Sequence, residues 1–310
     1  MFSTSHLHFM SSQTVTARIF VFCIVKVFRL FFKKRIAIAL DNFRRSTLRE
    51  SINEESKTEQ QIINESLDHL GLTVYGSLLR ILNPSNEINQ GLIDQPLDYL
   101  KSKGIKLKTK VDLEALIAEK RGLIFVSAHL GAWEELILLG NLMQRPMFLL
   151  SKRMKIGWLQ KLWDVSRKHS AQRLDEGFRA KTIVESLRKG ALLADVLDQH
   201  CPDKKALKCI FMGRLAATST DLTRFALLGN ALIVPVFLVR TSSEQGGGYH
   251  LHIFDVIDPN LYLNQGLPHA EVLFKVTQKC CEQIEKAIEL SPEQWLWIHR
   301  RWKVDVSTSI

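Results

Sequence analysis

The stretch Gly122-Leu-Ile-Phe-Val-Ser-Ala-His129-Leu-Gly-Ala-Trp-Glu134 joins a short apolar run to a histidine and then to an amphipathic segment. An apolar run of this length is typical of a buried strand. Further apolar runs occur at 147–150, 191–197 and 232–239, and helix-like segments lie near 132–143, 156–169, 179–189 and 218–229. This alternation predicts an α/β fold with a mostly parallel or mixed sheet flanked by helices. Three glycines at 246–248, followed by an alternating run at 249–256, predict a hairpin.

The N-terminal part differs from the rest of the chain in its pattern of apolar and basic residues. Residues 18–25 are mainly apolar, and Lys26, Arg29 and a basic run at 33–35 follow. The apolar run is shorter than the roughly 20 residues of a spanning helix, so it predicts an in-plane membrane helix or a short imperfect span. The alternative is a buried core helix with solvated basic residues. We therefore divide the chain into a membrane-associated segment at 1–45, a helical segment at 46–110 and an α/β domain at 111–310.

Composition limits the partners. The chain of 310 residues has 42 Lys and Arg against 32 Asp and Glu, a formal net charge of +10. Such an excess favours nucleic acid, an anionic membrane surface or an acidic protein. We find no recognised nucleic-acid module, so we expect no nucleic acid. The five cysteines include no C-x-x-C pair, which indicates a reduced environment and no metal site.

His129 stands where a strand is predicted to end, which is where sites form in open α/β sheets. It can act as a general base, and Glu134, one turn into the following segment, could reach back to fix the imidazole tautomer. The same spacing recurs in His250 and Asp255. Those two residues lie in an alternating run, where an odd separation places side chains on opposite faces. The pattern therefore favours His129 and Glu134 as the catalytic pair.

Several ordered motifs resemble a known family. His129-Leu-Gly-Ala-Trp-Glu134 resembles the H-F-G-N-W-E motif of the lipid A late (lauroyl/myristoyl) acyltransferases, in the lysophospholipid acyltransferase-like superfamily. Asp198-Gln199 is similar to the D-Q of that family. The resemblance covers about residues 45–303 and ends in the long motif Pro292-Glu-Gln-Trp-Leu-Trp-Ile-His-Arg-Arg-Trp-Lys303. The chain departs from the family pattern at Ala132, His200 and Met212.

The resemblance implies an acyltransferase that moves a fatty acyl chain from acyl carrier protein to a hydroxyl of a lipid A precursor, with no cofactor and no metal. It implies secondary acylation in lipopolysaccharide biosynthesis, at the cytoplasmic face of the bacterial inner membrane. Deprotonation of the hydroxyl falls to His129 and orientation of His129 to Glu134. The Gly131 backbone N–H is our candidate donor to the oxyanion of the thioester.

Further residues complete the expected site. Asp198 and Gln199 are expected to support it by hydrogen bonds, with simple loop capping as the alternative. Arg173 is a candidate phosphate contact, with a solvated helix face as the alternative. Trp295, His299 and Trp302 would share one face if the C-terminal motif were helical. Its Arg300 and Arg301 would then hold a phosphate or carboxylate of the lipid, with Trp at the bilayer interface. The alternative is Trp packed in the core and Arg in solvent.

Two other functions stay open at this stage. One is an acyltransferase of the same fold that acts on another polar lipid or glycolipid, with acyl-CoA as the donor. The other is a catalytically idle membrane-binding relative, against which the intact histidine and acid pair speaks.

Overall fold

A mixed seven-stranded sheet forms the centre of the molecule. The computed structural model describes residues 15–51, 57–82, 96–137, 143, 145–150, 157, 160–161, 164–165, 172–174, 180–204, 206–242 and 247–303. The strands are β1 Ile105–Thr109, β2 Leu123–Ser127, β3 Met147–Leu150, β4 Gln172–Leu174, β5 Leu192–Val196, β6 Leu207–Phe211, β7 Arg214–Thr218, β8 Leu232–Thr241 and β9 Gly248–Ile253. The sheet has the order β1-β9-β8-β2-β5-β3-β4, and β6 and β7 form a separate antiparallel hairpin.

Strand directions agree with the predicted mixed sheet. β8, β2, β5, β3 and β4 are parallel to one another. β9 turns back against β8, which confirms the predicted hairpin, and β1 runs parallel to β9 at the edge. β1 lies inside the segment 46–110, for which the sequence pattern indicates helices alone.

Helices cover both faces of the sheet. They are α1 Val15–Phe31, α2 Lys33–Arg44, α3 Leu48–Ser51, α4 Glu59–Leu82, α5 Pro96–Ser102, α6 Leu113–Ala118, α7 Ala180–Arg188, α8 Asp221–Gly229, α9 Pro259–Asn264 and α10 His269–Leu290, with short 3₁₀ helices at Trp133–Ile137 and Pro292–Gln294. The helices predicted near 179–189 and 218–229 are confirmed as α7 and α8. The segment near 132–143 begins as a 3₁₀ helix, and most of its remainder lies outside the described residues. Most of the segment 156–169 also lies outside them.

Alternating side chains of the central strands build a core on each face of the sheet. Ile124 and Leu193 are completely buried in one hydrophobic cluster, and Leu123 and Leu192, their chain neighbours, are completely buried in the other. A strand buried on both faces reads as a continuous apolar run, because both alternating sets of side chains are inside. This is why β2 and β5 could be recognised from sequence.

Helix α1 has a buried face and an exposed apolar face. Val21 and Val25 pack on α4, where Gly71 leaves space; a Cβ at Gly71 would lie 3.2 Å from Val21 Cγ1. The opposite face and the turn after it expose large apolar side chains: Val15, Ile19, Phe22, Val27, Leu30, Phe31 and Phe32. Among the described residues, none of the helices combines the length and the apolar character that crossing a bilayer requires.

Helix α2 belongs to the main core. Ala39 and Phe43 are buried in the cluster that contains β2, and the Phe43 ring meets the Trp297 ring edge-on at 5.1 Å. Asn42 Nδ2 donates hydrogen bonds to the carbonyl oxygens of Trp297 at 2.8 Å and His299 at 2.7 Å. The second half of the segment 1–45 is therefore an integral part of the α/β structure.

Candidate active site

The candidate site lies at the carboxyl ends of β2 and β5, in the middle of the sheet. His129 follows the end of β2 by two residues, and Asp198 follows the end of β5 by two residues. β2 and β5 are adjacent and parallel, with Ser127 beside Val196. The two side chains therefore emerge side by side at the edge where ligands bind in open α/β sheets.

Asp198 holds His129 through two hydrogen bonds. Asp198 Oδ1 lies 2.8 Å from His129 Nδ1, and Asp198 Oδ2 accepts from the His129 backbone N–H at 2.9 Å. Oδ2 also accepts from Trp295 Nε1 at 2.8 Å. With Nδ1 bound to a carboxylate, the ring carries its proton there and leaves Nε2 with a lone pair. His129 is thus arranged as a general base.

The opposite charges of Asp198 and protonated His129 stabilise each other. Burial by itself would raise the pKa of Asp198, but His129 and the hydrogen bonds from His129 and Trp295 lower it to about 2. Burial would lower the pKa of His129, but the charge and hydrogen bond of Asp198 outweigh it and raise that pKa, with smaller contributions from Glu134 and Asp195. A raised pKa makes the imidazole a stronger proton acceptor.

Glu134 lies near the His129–Asp198 pair but forms its hydrogen bond with a different residue. It is buried in the 3₁₀ helix, and its Oε1 accepts a hydrogen bond from Trp133 Nε1 at 3.1 Å. The Trp133 ring in turn meets the His129 ring edge-on, with centroids 5.4 Å apart. The position expected for Glu134, at Nδ1 of the imidazole, is filled by Asp198. Glu134 acts on His129 through its charge, which contributes to the raised pKa.

The Gly131 backbone N–H is not an oxyanion donor, because it donates to the carbonyl oxygen of Gln294 at 3.1 Å. Gly131 has a φ of +61°, and a Cβ there would lie 2.3 Å from the carbonyl oxygen of Leu238. The residue is therefore required for a close backbone approach. Its carbonyl oxygen accepts from buried Arg240 Nη1 at 2.6 Å, which fixes the loop after His129.

Gln199 has a polar side chain close to the imidazole. Its Nε2 lies 3.3 Å from both ring nitrogens of His129. The in-plane directions of the two ring nitrogens diverge, so a donor equidistant from both lies along neither. Gln199 therefore leaves the lone pair of His129 Nε2 available.

The C-terminal motif packs against the site and is not a helix. Trp295 forms a β-bridge with Leu130, and the Leu296 N–H donates to the His129 carbonyl oxygen at 3.0 Å. Trp295 and Trp297 are completely buried in the core, so they do not lie at a bilayer interface. The helical face expected for this motif was wrong because the spacing of its aromatic residues matched a helix by coincidence.

Comparison with known proteins identifies the family of this chain. The family described as bacterial lipid A biosynthesis acyltransferase matches residues 11–304. The chain belongs to this family. A relative is the lipid A biosynthesis lauroyltransferase of Escherichia coli (strain K12), 28% identical over 193 residues, which are 60% of this chain and 58% of the relative. The chain thus spans less than two thirds of that relative's length.

Arg301 supports the site of this acyltransferase family member from inside the core. The side chain is completely buried, and Nη1 donates to the carbonyl oxygens of Gln199 at 2.8 Å and Ala217 at 3.0 Å. Nη2 donates to Thr218 Oγ1 at 2.8 Å. Arg301 cannot reach a lipid phosphate, which corrects the binding role expected for it; it positions the loop that carries Gln199.

The remaining expected contacts are less defined. Arg300 is exposed beside this segment, open to solvent. Arg173 lies in β4, where the structure describes the backbone. The expected contact between Arg173 and phosphate stays a prediction. Among the described residues, no group of three or more His, Cys, Asp or Glu is arranged to hold a metal ion.

Two departures from the family motifs have structural explanations. Ala132 is completely buried in the core, and its N–H donates to the Leu238 carbonyl oxygen at 2.7 Å. Met212 has a φ of +48° at the tip of the β6–β7 hairpin and is buried there.

Asp195 is a site residue that the sequence analysis missed. It lies in β5, beside Val126, and is half-buried. Burial raises its pKa to about 7, although the Val196 N–H hydrogen bond and His129 oppose this. The available signal was an acidic residue within the apolar run at 191–197, because such a residue rarely enters a buried strand without a reason.

Proposed function

We propose that the protein transfers a fatty acyl chain from acyl carrier protein to a hydroxyl of a lipid A precursor, as a secondary acylation in lipopolysaccharide biosynthesis. The His129–Asp198 pair, held with Nε2 available at the carboxyl edge of the sheet, carries this proposal. Family membership supports the class of acceptor.

The proposed reaction uses the acceptor hydroxyl as nucleophile. His129 Nε2 takes the hydroxyl proton as the oxygen attacks the thioester carbonyl carbon, and a C–O bond forms. The C–S bond of the tetrahedral intermediate then breaks, and the imidazolium returns the proton to the leaving sulfur. Asp198 stabilises the positive charge on the ring between these two steps, because it lies 2.8 Å from Nδ1.

The intermediate carries an oxyanion that needs a hydrogen-bond donor. With the Gly131 N–H engaged elsewhere, we assign this role to the Gln199 side-chain amide, which lies against the imidazole. Removal of one such donor typically lowers kcat about 10²–10³-fold. Gln199→Leu should give a loss of this size, measured at saturating donor and acceptor, while Gln199→Glu removes the donor without removing the side-chain length.

The N-terminal helices are the proposed membrane surface, at the cytoplasmic face of the inner membrane. Residues 15–51 hold nine Lys and Arg against two Asp and Glu. The exposed apolar face of α1 lies among these basic residues. Apolar side chains that enter the acyl region and basic residues that meet anionic headgroups are typical of in-plane membrane helices.

Truncation separates membrane binding from folding. Removal of residues 1–32 takes away α1 and leaves α2 in the core, so we expect lost sedimentation with anionic vesicles and a cooperative thermal transition. Removal of residues 1–44 also takes away the packing of Phe43 and the hydrogen bonds of Asn42, so we expect unfolding or aggregation. Vesicle binding that survives the shorter deletion at high salt would contradict the assignment to α1.

The decisive experiment uses purified protein, acyl carrier protein thioester and a lipid A precursor. Mass spectrometry of the lipid should show the mass of one added acyl chain, and His129→Ala should abolish the addition. Lipid A from a deletion strain should lack one acyl chain. Equal transfer to unrelated polar lipids from acyl-CoA would refute the proposal and favour the alternative acceptor class.

A further inference from the structure

The edge of the sheet near β1 is strongly basic. The segment 101–110 contains five lysines and no acidic residue. Lys106 and Lys108 alternate with more buried positions along β1, and both are exposed. The next strand, β9, places His250 beside Lys106 and His252 beside Lys108 in the register. We call these four residues the sheet-edge patch.

The four side chains lie on one face because paired positions of neighbouring strands point the same way. The rings of His250 and His252 are 6.0 Å apart. Burial and the charges of Lys108 and Lys106 lower the pKa of His250; burial, His250 and Lys108 lower that of His252 to about 4. The imidazoles are therefore neutral near pH 7, and the patch combines two cations with two neutral ring donors.

Protection of an edge strand explains only part of this composition. Lysines on an edge strand discourage pairing with another chain. That function does not require two histidines on the interior strand β9, where hydrogen bonds on both sides are already made. The patch instead offers donors and positive charge to a negatively charged surface.

The patch lies on the same end of the sheet as the active site. β9 begins where β8 ends, and β8 is parallel to β2, whose carboxyl end carries His129. β9 is two strands and β1 three strands from β2 in the sheet order, which corresponds to roughly 10 and 14 Å. A partner seated there could present a reactive group on a flexible arm to His129.

We propose that the sheet-edge patch docks the acidic carrier protein that delivers the acyl thioester. The inference rests on the proposed function, which supplies an acidic donor protein with its acyl chain on a flexible prosthetic arm. The basic N-terminal helices are assigned to the membrane, and the sheet-edge patch is a second basic surface among the described residues. Opposite charges steer such encounters and suppress wrong partners.

The test compares two donors in the full-length protein: acyl carrier protein thioester and the matching CoA thioester. Charge reversal at Lys106→Glu with Lys108→Glu should lower the ratio of kcat/KM for the carrier donor to kcat/KM for the CoA donor about tenfold, through KM of the carrier donor. A purely structural defect would lower both values together. The matched control is Lys120→Glu with Lys189→Glu. These two exposed lysines precede the amino ends of β2 and β5, at the end of the sheet away from His129, so their reversal should leave the donor ratio unchanged.

Each other outcome has a distinct meaning. If the parent protein prefers the carrier donor and the patch variant keeps that preference, the docking proposal is overturned while the proposed function stands. If the parent uses both donors equally at every salt concentration, the carrier-protein part of the proposed function fails, and the docking proposal fails with it. If the variant loses sedimentation with anionic vesicles at an unchanged donor ratio, the patch contacts membrane and the proposal is overturned.

Discussion

Replacement of Asp198 by Asn tests whether Asp198 orients the His129 imidazole. Asp198 Oδ2 accepts two hydrogen bonds, from the His129 N–H and from Trp295 Nε1, and Oδ1 faces His129 Nδ1. The single amide oxygen of Asn keeps the two bonds at the Oδ2 position, and its NH₂ group then points at Nδ1. An N–H donor there forces the ring proton onto Nε2, where the lone pair is needed.

The expected loss of activity is large and the expected loss of stability is small. An orienting acid replaced by its amide lowers kcat by about 10²–10⁴-fold, or roughly 2.7–5.4 kcal/mol in the activation free energy. Two of the three hydrogen bonds of Asp198 remain, so the thermal midpoint should fall by only a few degrees. Asp198→Ala instead leaves the N–H donors of His129 and Trp295 buried without an acceptor, at about 1–3 kcal/mol each.

The pH profile gives an independent readout of the same substitution. His129 must be unprotonated to act as a base, so the rate falls as the pH drops through its pKa. Asp198 raises that pKa most, and Glu134 and Asp195 raise it less. The acid limb of kcat/KM should therefore move to lower pH in Asp198→Asn, and by smaller steps in Glu134→Gln and Asp195→Asn.

The assay is the initial rate of acyl transfer from pH 5 to 9, with circular dichroism as the check of folding. Asp255→Asn is the matched control, since it makes the same chemical change at an exposed aspartate. A folded Asp198→Asn protein that keeps kcat within threefold of the parent, with an unmoved acid limb, would refute the orienting role.

Three further substitutions, with Arg300→Ala as a control, test the frame around the site. Gly131→Ala should lower the thermal midpoint strongly and the soluble yield with it, because the added methyl meets the Leu238 carbonyl oxygen and φ is positive; an unchanged midpoint would contradict the close approach. Arg301→Met should lower both stability and kcat, since it leaves the Gln199 loop without its anchor, whereas Arg300→Ala on the exposed neighbour should change stability by under about 0.5 kcal/mol; equal unfolding free energies in urea would count against this. Asn42→Ala should cost about 2 kcal/mol in the same urea titration, because one buried and one partly buried carbonyl oxygen lose their donor. A smaller effect than that of Arg300→Ala would argue that α2 is not part of the fold.

Local patterns predicted much of the frame. The apolar runs at 147–150 and 191–197 predicted β3 and β5, because a strand covered on both faces carries apolar residues at most of its positions. The amphipathic pattern gave α7 and α8. β1 was missed because it is only five residues long and follows a segment with a helical pattern, although its apolar residues and lysines alternate as in a half-buried strand.

The site could be predicted only in part. His129 was found because it ends an apolar run. Asp198 was expected to support it, but its contact with Nδ1 depends on the pairing of β2 with β5, which no spacing within one segment reveals. The engagement of the Gly131 N–H and the burial of Arg301 both depend on the C-terminal motif, whose path could not be read from its aromatic spacing.

The β-bridge between Leu130 and Trp295 has a consequence for biosynthesis. Both the loop after His129 and the Asp198 carboxylate receive contacts from residues 294–296, which leave the ribosome about 100 to 165 residues later. His129 therefore cannot acquire its final geometry before residues 294–296 have been synthesised. If α1 binds the membrane as proposed, a nascent chain can attach there first and gains acyl transfer only once residues 294–296 close the site. A translation product that stops before Gln294 should therefore be bound to membrane yet inert.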